Sequence, residues 1–271
     1  MRKEGQELFR LARAALEKAG AHSRMAEAAA HPALVAERAG SCLIDNRDGL
    51  PYVSVEWAVG EVIQRARRNA IAFAGIRNST HVGVMGIHLL PVAQAGLVGL
   101  AFTNSPAAIP PWGGKKALFG TNPVAAVFPR RDKDPIVVDL ALTTVVRGRI
   151  MMAMRKGERI PEGWALDRHG KPTTDPKEAI ERGSLFPIGG AKGAMLALTF
   201  ELLCAALTGA AIGPEADSFF AERVETLVAA MLADPEVRLP GERRFAAEKA
   251  ARKSGIEVPD DLLAQIEKLG T

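Results

Sequence analysis

Three side chains stand where chemistry could be done. His81 closes the run Arg77-Asn78-Ser79-Thr80-His81 behind an apolar stretch, and a histidine at a strand end can give or take a proton near neutral pH. Asp139 ends Val137-Val138-Asp139, where a carboxylate can orient a base, hold a ribose hydroxyl or cap a helix. Lys192 lies in Gly189-Gly190-Ala191-Lys192-Gly193, a Gly-rich turn opening a predicted helix whose free N–H groups and dipole favour an anion. This turn is not a P-loop, because the spacing differs and Gly193 follows the lysine where Ser or Thr would stand. A tight turn with a solvated lysine is an equally good reading of it.

These residues need elements to position them. Four short apolar runs end in polar clusters: Ile71 to Ile76, Leu97 to Phe102, Val124 to Phe128 and Ile136 to Val138. Runs of this length bounded by Gly, Pro and Asn predict buried strands. The clusters at their ends include Thr103-Asn104-Ser105 and Gly120-Thr121-Asn122-Pro123, polar groups that can converge on one ligand.

Helical spacing of apolar residues predicts a helix over Leu8 to Ala19 with Gly20 as its C-cap. The Ala-rich segment Met25 to Ala39 reads as helical too, and Val55 to Ala66 as amphipathic helix. Further helices are predicted over His81 to Gly96, Arg149 to Met154, Ala194 to Leu207, Phe219 to Ala233, Glu242 to Ser254 and Pro259 to Lys268. Between them, Glu158 to Glu178 is a polar excursion too long for an idle loop. The expected division is a helical segment over 1–49, a binding and catalytic region over 50–213, and C-terminal helices over 214–271 that pack back on the N-terminal region.

Composition excludes several classes. The 271 residues are 48% hydrophobic and 24% charged, as in an ordinary globular protein. No apolar run reaches the ~18 residues that span a bilayer, and Met1-Arg2-Lys3-Glu4-Gly5-Gln6-Glu7 has no signal-peptide core. A cytoplasmic protein without membrane association is expected. The net charge of +4 is dispersed and not interleaved with aromatics, which argues for a small anionic substrate or cofactor and against nucleic acid.

Two cysteines, Cys42 and Cys204, make neither a disulfide framework nor a metal knuckle. His22, His31, His88 and His169 lack zinc-ligand company, so no metal is expected. Met151, Met152 and Met154 read as core or interface. There is no G-x-S-x-G, no H-E-x-x-H and no G-x-G-x-x-G after a strand, so neither hydrolase templates nor the Rossmann fingerprint apply.

The order of the clusters is more specific than any one of them. NSTH is followed by TNSP, Gly113-Gly114, GTNP, VVDLA, GWALD, GKPTTDP, PIGGAKG and finally LPGER, ending at Arg243. This resembles the malate/L-lactate dehydrogenase-like oxidoreductases, a family that also holds ureidoglycolate, sulfolactate and 2,3-diketogulonate enzymes and cyclic imino-acid reductases. The match runs from about Leu50 to Leu207 and again from Ala221 to the end.

The resemblance implies an α/β, non-Rossmann fold with a large, mostly antiparallel or mixed sheet flanked by helices, in a homodimer with the site near the subunit contact. It implies NAD or NADP as cofactor and a small 2-hydroxy/2-oxo acid or a cyclic imino acid as substrate. His81 matches the proton donor or acceptor, with Asp139 beside it as a candidate. Ser105, Asp139, Leu140, Ala141, Lys192, Gly241, Glu242 and Arg243 match cofactor-contacting positions, and Asn122 matches the GTNP motif.

Two departures accompany the match. The family's Ser-His-Gly motif, whose histidine is the proton donor in several members, is missing where Ala36-Glu37-Arg38-Ala39-Gly40 runs straight into Ser41. A strand-containing segment is missing where Ser218-Phe219-Phe220 meets Ala221. A catalytically impaired relative that binds nucleotide or only dimerises is therefore the alternative reading.

Overall fold

The computed structural model describes residues 32–209 and 220–255. The helices predicted over Leu8 to Ala19 and Pro259 to Lys268 lie outside the described residues, as do His22, His31 and the Ser218 end of the second junction.

The first layer is the sheet β1 (Ala33–Arg38), β2 (Ser41–Asp45) and β3 (Phe73–Arg77), in that order. β1 and β2 form an antiparallel hairpin pairing Arg38 with Ser41, whereas β2 and β3 run parallel. Parallel neighbours need a crossover, and α1 (Tyr52–Asn69) supplies it. At the β2 terminus, Asn46 is fully buried and accepts a hydrogen bond from Ser54 Oγ at 2.7 Å, which ties the turn to the first turn of α1.

One expectation fails here. Residues Ala33 to Ala39 form strand and turn, not helix: β-pairing with Leu43 and Ile44 outweighs the helix propensity of an Ala-rich run. The segment from Ala36 to Ser41 is a continuous tight hairpin, with Ala39 and Gly40 as its turn.

The second sheet is β4 (Gly99–Phe102), β5 (Val124–Arg130) and β6 (Lys133–Leu140), antiparallel throughout. Central β5 is buried at Ala125, Ala126 and Val127. Packed on it are α2 (Met85–His88) and α3 (Leu90–Gln94), whose Met85, Leu89, Val92 and Ala93 join Ala125 and Val127 in one core. The single helix predicted over His81 to Gly96 is thus two short ones. Pro91 stands at the start of the second, a position where its missing N–H costs no helical bond.

The polar excursion is a small unit of its own. With the residues flanking it, it comprises α4 (Arg147–Lys156) just before, β7 (Ala165–Leu166), β8 (Pro172–Thr173), α5 (Pro176–Glu181) and β9 (Ser184–Leu185) just after, with sheet order β8-β7-β9. Its core is Val145, Ile150, Ala153, Ile160, Ala165, Ala179 and Leu185.

The chain then enters α6 (Ala191–Glu201), followed by one π-helical turn (Leu202–Ala206), α7 (Phe220–Leu232) and α8 (Glu242–Ser254). Leu227 and Met231 of α7, with Val237 beyond it, pack against Ile109, Phe119, Leu142 and Ala197. That burial fastens α7 and the turn beyond it to the β4–β5 connection and to the loop after β6. The architecture among the described residues is mixed α/β with three three-stranded sheets. The single large sheet of the sequence expectation is not seen among these residues, whose strands pair in three separate sets.

Candidate functional site

The polar clusters, far apart in sequence, are laced together by backbone hydrogen bonds. Leu142, just past β6, donates its N–H to Thr121 O at 2.8 Å and accepts from Ile188 N at 2.9 Å. Thr144 N donates to Phe186 O at 2.9 Å. Thr121 N in turn donates to Ser105 Oγ at 2.9 Å, and the two hydroxyls lie 3.1 Å apart. Four loops therefore lie side by side: TNSP, GTNP, the residues after VVDLA, and PIGGAKG. Each bond closes because a strand or helix end leaves backbone groups unpaired that must find partners.

Ser105 is half-buried at the centre of this array, and Ala141 is half-buried beside exposed Leu140. Gly189 and Gly190 take φ of 62° and 65°, a backbone that glycine adopts without strain. No atom lies within 4 Å of where a Gly189 Cβ would sit, so the turn opens onto free space. Lys192 is exposed in the first turn of the 11-residue α6. An open turn, a helix N-terminus and a cation fit the phosphates of a nicotinamide nucleotide. Trp112, half exposed, lies 3.3 Å from the Cβ position of Gly190 and forms a wall of this turn.

The other candidates join the array by different routes. Asp139 Oδ2 accepts from Gly86 N at 2.7 Å, so its carboxylate caps the first turn of α2 and draws the loop carrying His81 toward the end of β6. His81 itself is exposed, four residues beyond β3. Its motif is anchored by Asp45, which accepts from Asn78 Nδ2 and Arg77 Nε, each at 3.1 Å. His88 is structural: Nε2 lies 2.9 Å from Val82 O and its ring tilts against Tyr52.

Asn122 is fully buried, and its Nδ2 donates to Ala197 O at 2.9 Å and Glu201 Oε2 at 2.8 Å. It supports the GTNP turn from behind, shielded from solvent. Gly241, Glu242 and Arg243 are exposed at the start of α8. Among the described residues no hydrogen bond or ion pair joins them to the four loops. Their approach to the site is indirect, through Val237 and Glu236, which crowd Gly114 and Gly113 beside Trp112.

Sequence reasoning missed Glu201. This carboxylate is 5% exposed inside the helix. Burial pushes its pKa up, opposed by hydrogen bonds from Asn122, Gly120 and Asn104. The signal was available, since Glu201 is the single charge in the apolar run Ala194 to Leu207. Nearby Cys204 is inert as a nucleophile, because burial, with the charge of Glu201, pushes its thiol pKa to about 12.

No group of three or more His, Cys, Asp or Glu among the described residues could hold a metal ion. No helix among them is long and apolar enough to cross a membrane.

Comparison with known proteins agrees with this arrangement. The family model for malate/L-lactate dehydrogenase matches residues 11–235. The (2R)-3-sulfolactate dehydrogenase (NADP(+)) of Chromohalobacter salexigens is 43% identical over 256 residues, 85% of this chain and 76% of the relative. The Δ1-pyrroline-2-carboxylate/Δ1-piperideine-2-carboxylate reductase of Pseudomonas putida is 35% identical over 85% of this chain and 75% of that protein. Among solved structures, Δ1-piperideine-2-carboxylate reductase from Pseudomonas syringae pvar. tomato superimposes with a TM-score of 0.65 at 31% identity, covering 88% of this chain and 80% of that one. A dehydrogenase from Sinorhizobium meliloti gives a TM-score of 0.67 at 30% identity, covering 100% of this chain and 98% of the other. The chain belongs to the malate/L-lactate dehydrogenase family.

Proposed function

We propose that this NAD(P)-dependent oxidoreductase binds its nucleotide across the four laced loops and uses His81 to exchange the substrate proton. The substrate is a small anionic 2-hydroxy/2-oxo acid or a cyclic imino acid. The observation that carries the reading is the bond sequence Ser105, Thr121, Leu142, Ile188, which sets the TNSP, GTNP and PIGGAKG turns edge to edge. The relatives named above, acting on sulfolactate and on pyrroline- or piperideine-carboxylate, support both substrate classes. The first of them supports NADP over NAD.

In this reading the bound nucleotide supplies or accepts a hydride. Lys192 and the first turn of α6 hold phosphate charge, and Ser105 offers a hydroxyl at the loop centre. Asp139, Leu140 and Ala141 line the approach from β6, and Gly241, Glu242 and Arg243 bear on the nucleotide side through Glu236 and Val237 beside Trp112. His81 gives its proton to the developing alkoxide or amine on reduction and takes it back on oxidation.

The partner is a second copy of the chain. β6 is a sheet edge, and Ile136, Val137, Val138 and Leu140 on it are 40–53% exposed, apolar surface that a second copy would cover. Sedimentation at micromolar concentration should give a dimer, and a monomer would refute this part.

Following NADPH and NADH oxidation with pyruvate, oxaloacetate, 2,3-diketogulonate and Δ1-piperideine-2-carboxylate, and NADP(+) reduction with (2R)-3-sulfolactate, tests the activity. Turnover on one of these supports the reading. Nucleotide binding without turnover on any favours the second reading, an impaired relative. One observation speaks for that second reading: the β1–β2 hairpin closes directly where the family's Ser-His-Gly motif would stand, leaving His81 as the acid/base candidate.

A further inference from the structure

Glu201 is an expensive residue to bury. A carboxylate taken out of water must be repaid by donors, and here the donors come from two loops. Oε2 accepts from Gly120 N at 3.3 Å and Asn122 Nδ2 at 2.8 Å, both in the GTNP turn. Oε1 accepts from Asn104 Nδ2 at 3.5 Å, in the TNSP turn next to Ser105. Every partner donates and the carboxylate donates to none.

The two turns are in turn locked to each other. A Cβ on Gly120 would meet Ser105 O at 2.4 Å and Ser105 N at 2.6 Å, so the backbones touch. Any shift of Gly120 is therefore passed to Ser105. Glu201 also sits on α6, the helix that begins at the Gly-rich turn and carries Lys192. It ends that helix at the point where the ladder widens: Leu207 N bonds Leu202 O at 3.0 Å, five residues back. Such π-turns cost helical regularity and recur at functional sites.

We propose that Glu201 is a positioning residue of the nucleotide site. Its carboxylate holds the Ser105 loop at a set distance from the Lys192 turn, so that a ligand can engage both at once. The inference rests on the nucleotide reading given above. It separates function from stability, because a carboxylate is costly to bury: a neutral isostere lowers that cost but presents an amide N–H to one of the donors. A residue kept for folding alone would show the opposite pattern.

The experiment compares wild type with Glu201→Gln, Glu201→Ala and, as a purely structural control, Ser54→Ala, whose hydroxyl serves the Asn46 turn. Three quantities are measured: the thermal midpoint, the Kd for NADPH by fluorescence, and hydrogen exchange at the Gly120 amide. Glu201→Gln should keep or raise the midpoint, weaken NADPH about tenfold and speed exchange at Gly120. Ser54→Ala should lower the midpoint and leave NADPH affinity unchanged. If Glu201→Gln binds NADPH as wild type does, the positioning role is refuted, whatever exchange does. Unchanged exchange at Gly120 refutes the clamp itself. If wild type binds neither NADPH nor NADH, the nucleotide reading fails and the positioning role fails with it, while exchange at Gly120 still reports whether the carboxylate restrains the turn. Should Glu201→Ala not fold, the isosteric Gln variant carries the test.

Discussion

Replacing Gly193 by Ala sets two effects of opposite sign against each other. In a helix, Gly→Ala gains about 1 kcal/mol from backbone entropy, and Gly193 is the third residue of α6. The added Cβ, however, would stand 2.0 Å from Ile188 O and 2.9 Å from Ile188 N. A carbon–oxygen contact needs about 3.3 Å, so one side must retreat by roughly 1.3 Å. Ile188 cannot retreat cheaply, because its N–H is the bond to Leu142 O that joins two of the laced loops. Overpacking of this severity costs about 2–3 kcal/mol, and the strained hydrogen bond adds about 1 kcal/mol. After the propensity gain, a net loss of about 2–3 kcal/mol remains.

Gly60 is the internal control, in the middle of α1 with no atom within 4 Å of its Cβ position. Gly60→Ala should stabilise by about 0.5–1 kcal/mol. Urea unfolding of both variants at one pH reads the two signs directly, with Gly193→Ala shifted to lower denaturant and Gly60→Ala to higher. Gly193→Ala should also weaken NADPH binding, since the helix start carries Lys192. A Gly193→Ala variant at least as stable as wild type would refute the close approach of α6 to Ile188.

Three further outcomes are expected. His81→Ala should lower the maximal rate by about 10²–10⁴-fold, the usual worth of a positioned acid/base, with NADPH affinity little changed; steady-state turnover near wild type would remove His81 from the mechanism. Lys192→Ala should raise the NADPH Kd more than it slows the saturated enzyme, because a cation at a helix start acts on ligand charge; a fluorescence titration matching wild type would count against it. Asp45 is pushed up by burial but more than offset by the Arg47 N–H, the Asn78 amide and Arg77, which together hold its carboxyl below the usual range. A depressed carboxylate contributes stability above its unfolded pKa of about 3.9 and loses it as pH falls through the lower folded value. Asp45→Asn should therefore cost about 1–2 kcal/mol at neutral pH and flatten the acid limb of the stability curve, which urea unfolding across pH 2–6 (roughly that window) would reveal.

Local sequence determined much of this protein. Four apolar runs bounded by turn residues became β3, β4, β5 and β6, because a short apolar run between turn residues is a local signal. Their burial was not, since β5 is buried at Ala125 to Val127 while Ile136 to Val138 of edge strand β6 are exposed. The helix over Glu242 to Ser254 came out with the same ends, and Phe219 to Ala233 nearly so, since amphipathic spacing is equally local. The ordered clusters from NSTH to PIGGAKG were enough to indicate the family and its oxidoreductase chemistry.

Tertiary structure decided the rest, and pairing is the reason. Ala33 to Arg38 has the composition of a helix, but Ser41–Asp45 offered a strand partner and the long-range bonds prevailed. The span after His81 had to fold over β5, which split it into two short helices. The Asp139 carboxylate, open in sequence to several roles, meets Gly86 53 residues away and caps α2. Glu201 read as one stray charge in an apolar helix, and only the folding of two distant turns onto it turned that charge into a clamp. No spacing rule relates residues 104, 120, 122 and 201. Their meeting is set by burial of Ile109, Phe119 and Ala197 in one core, which no single segment encodes.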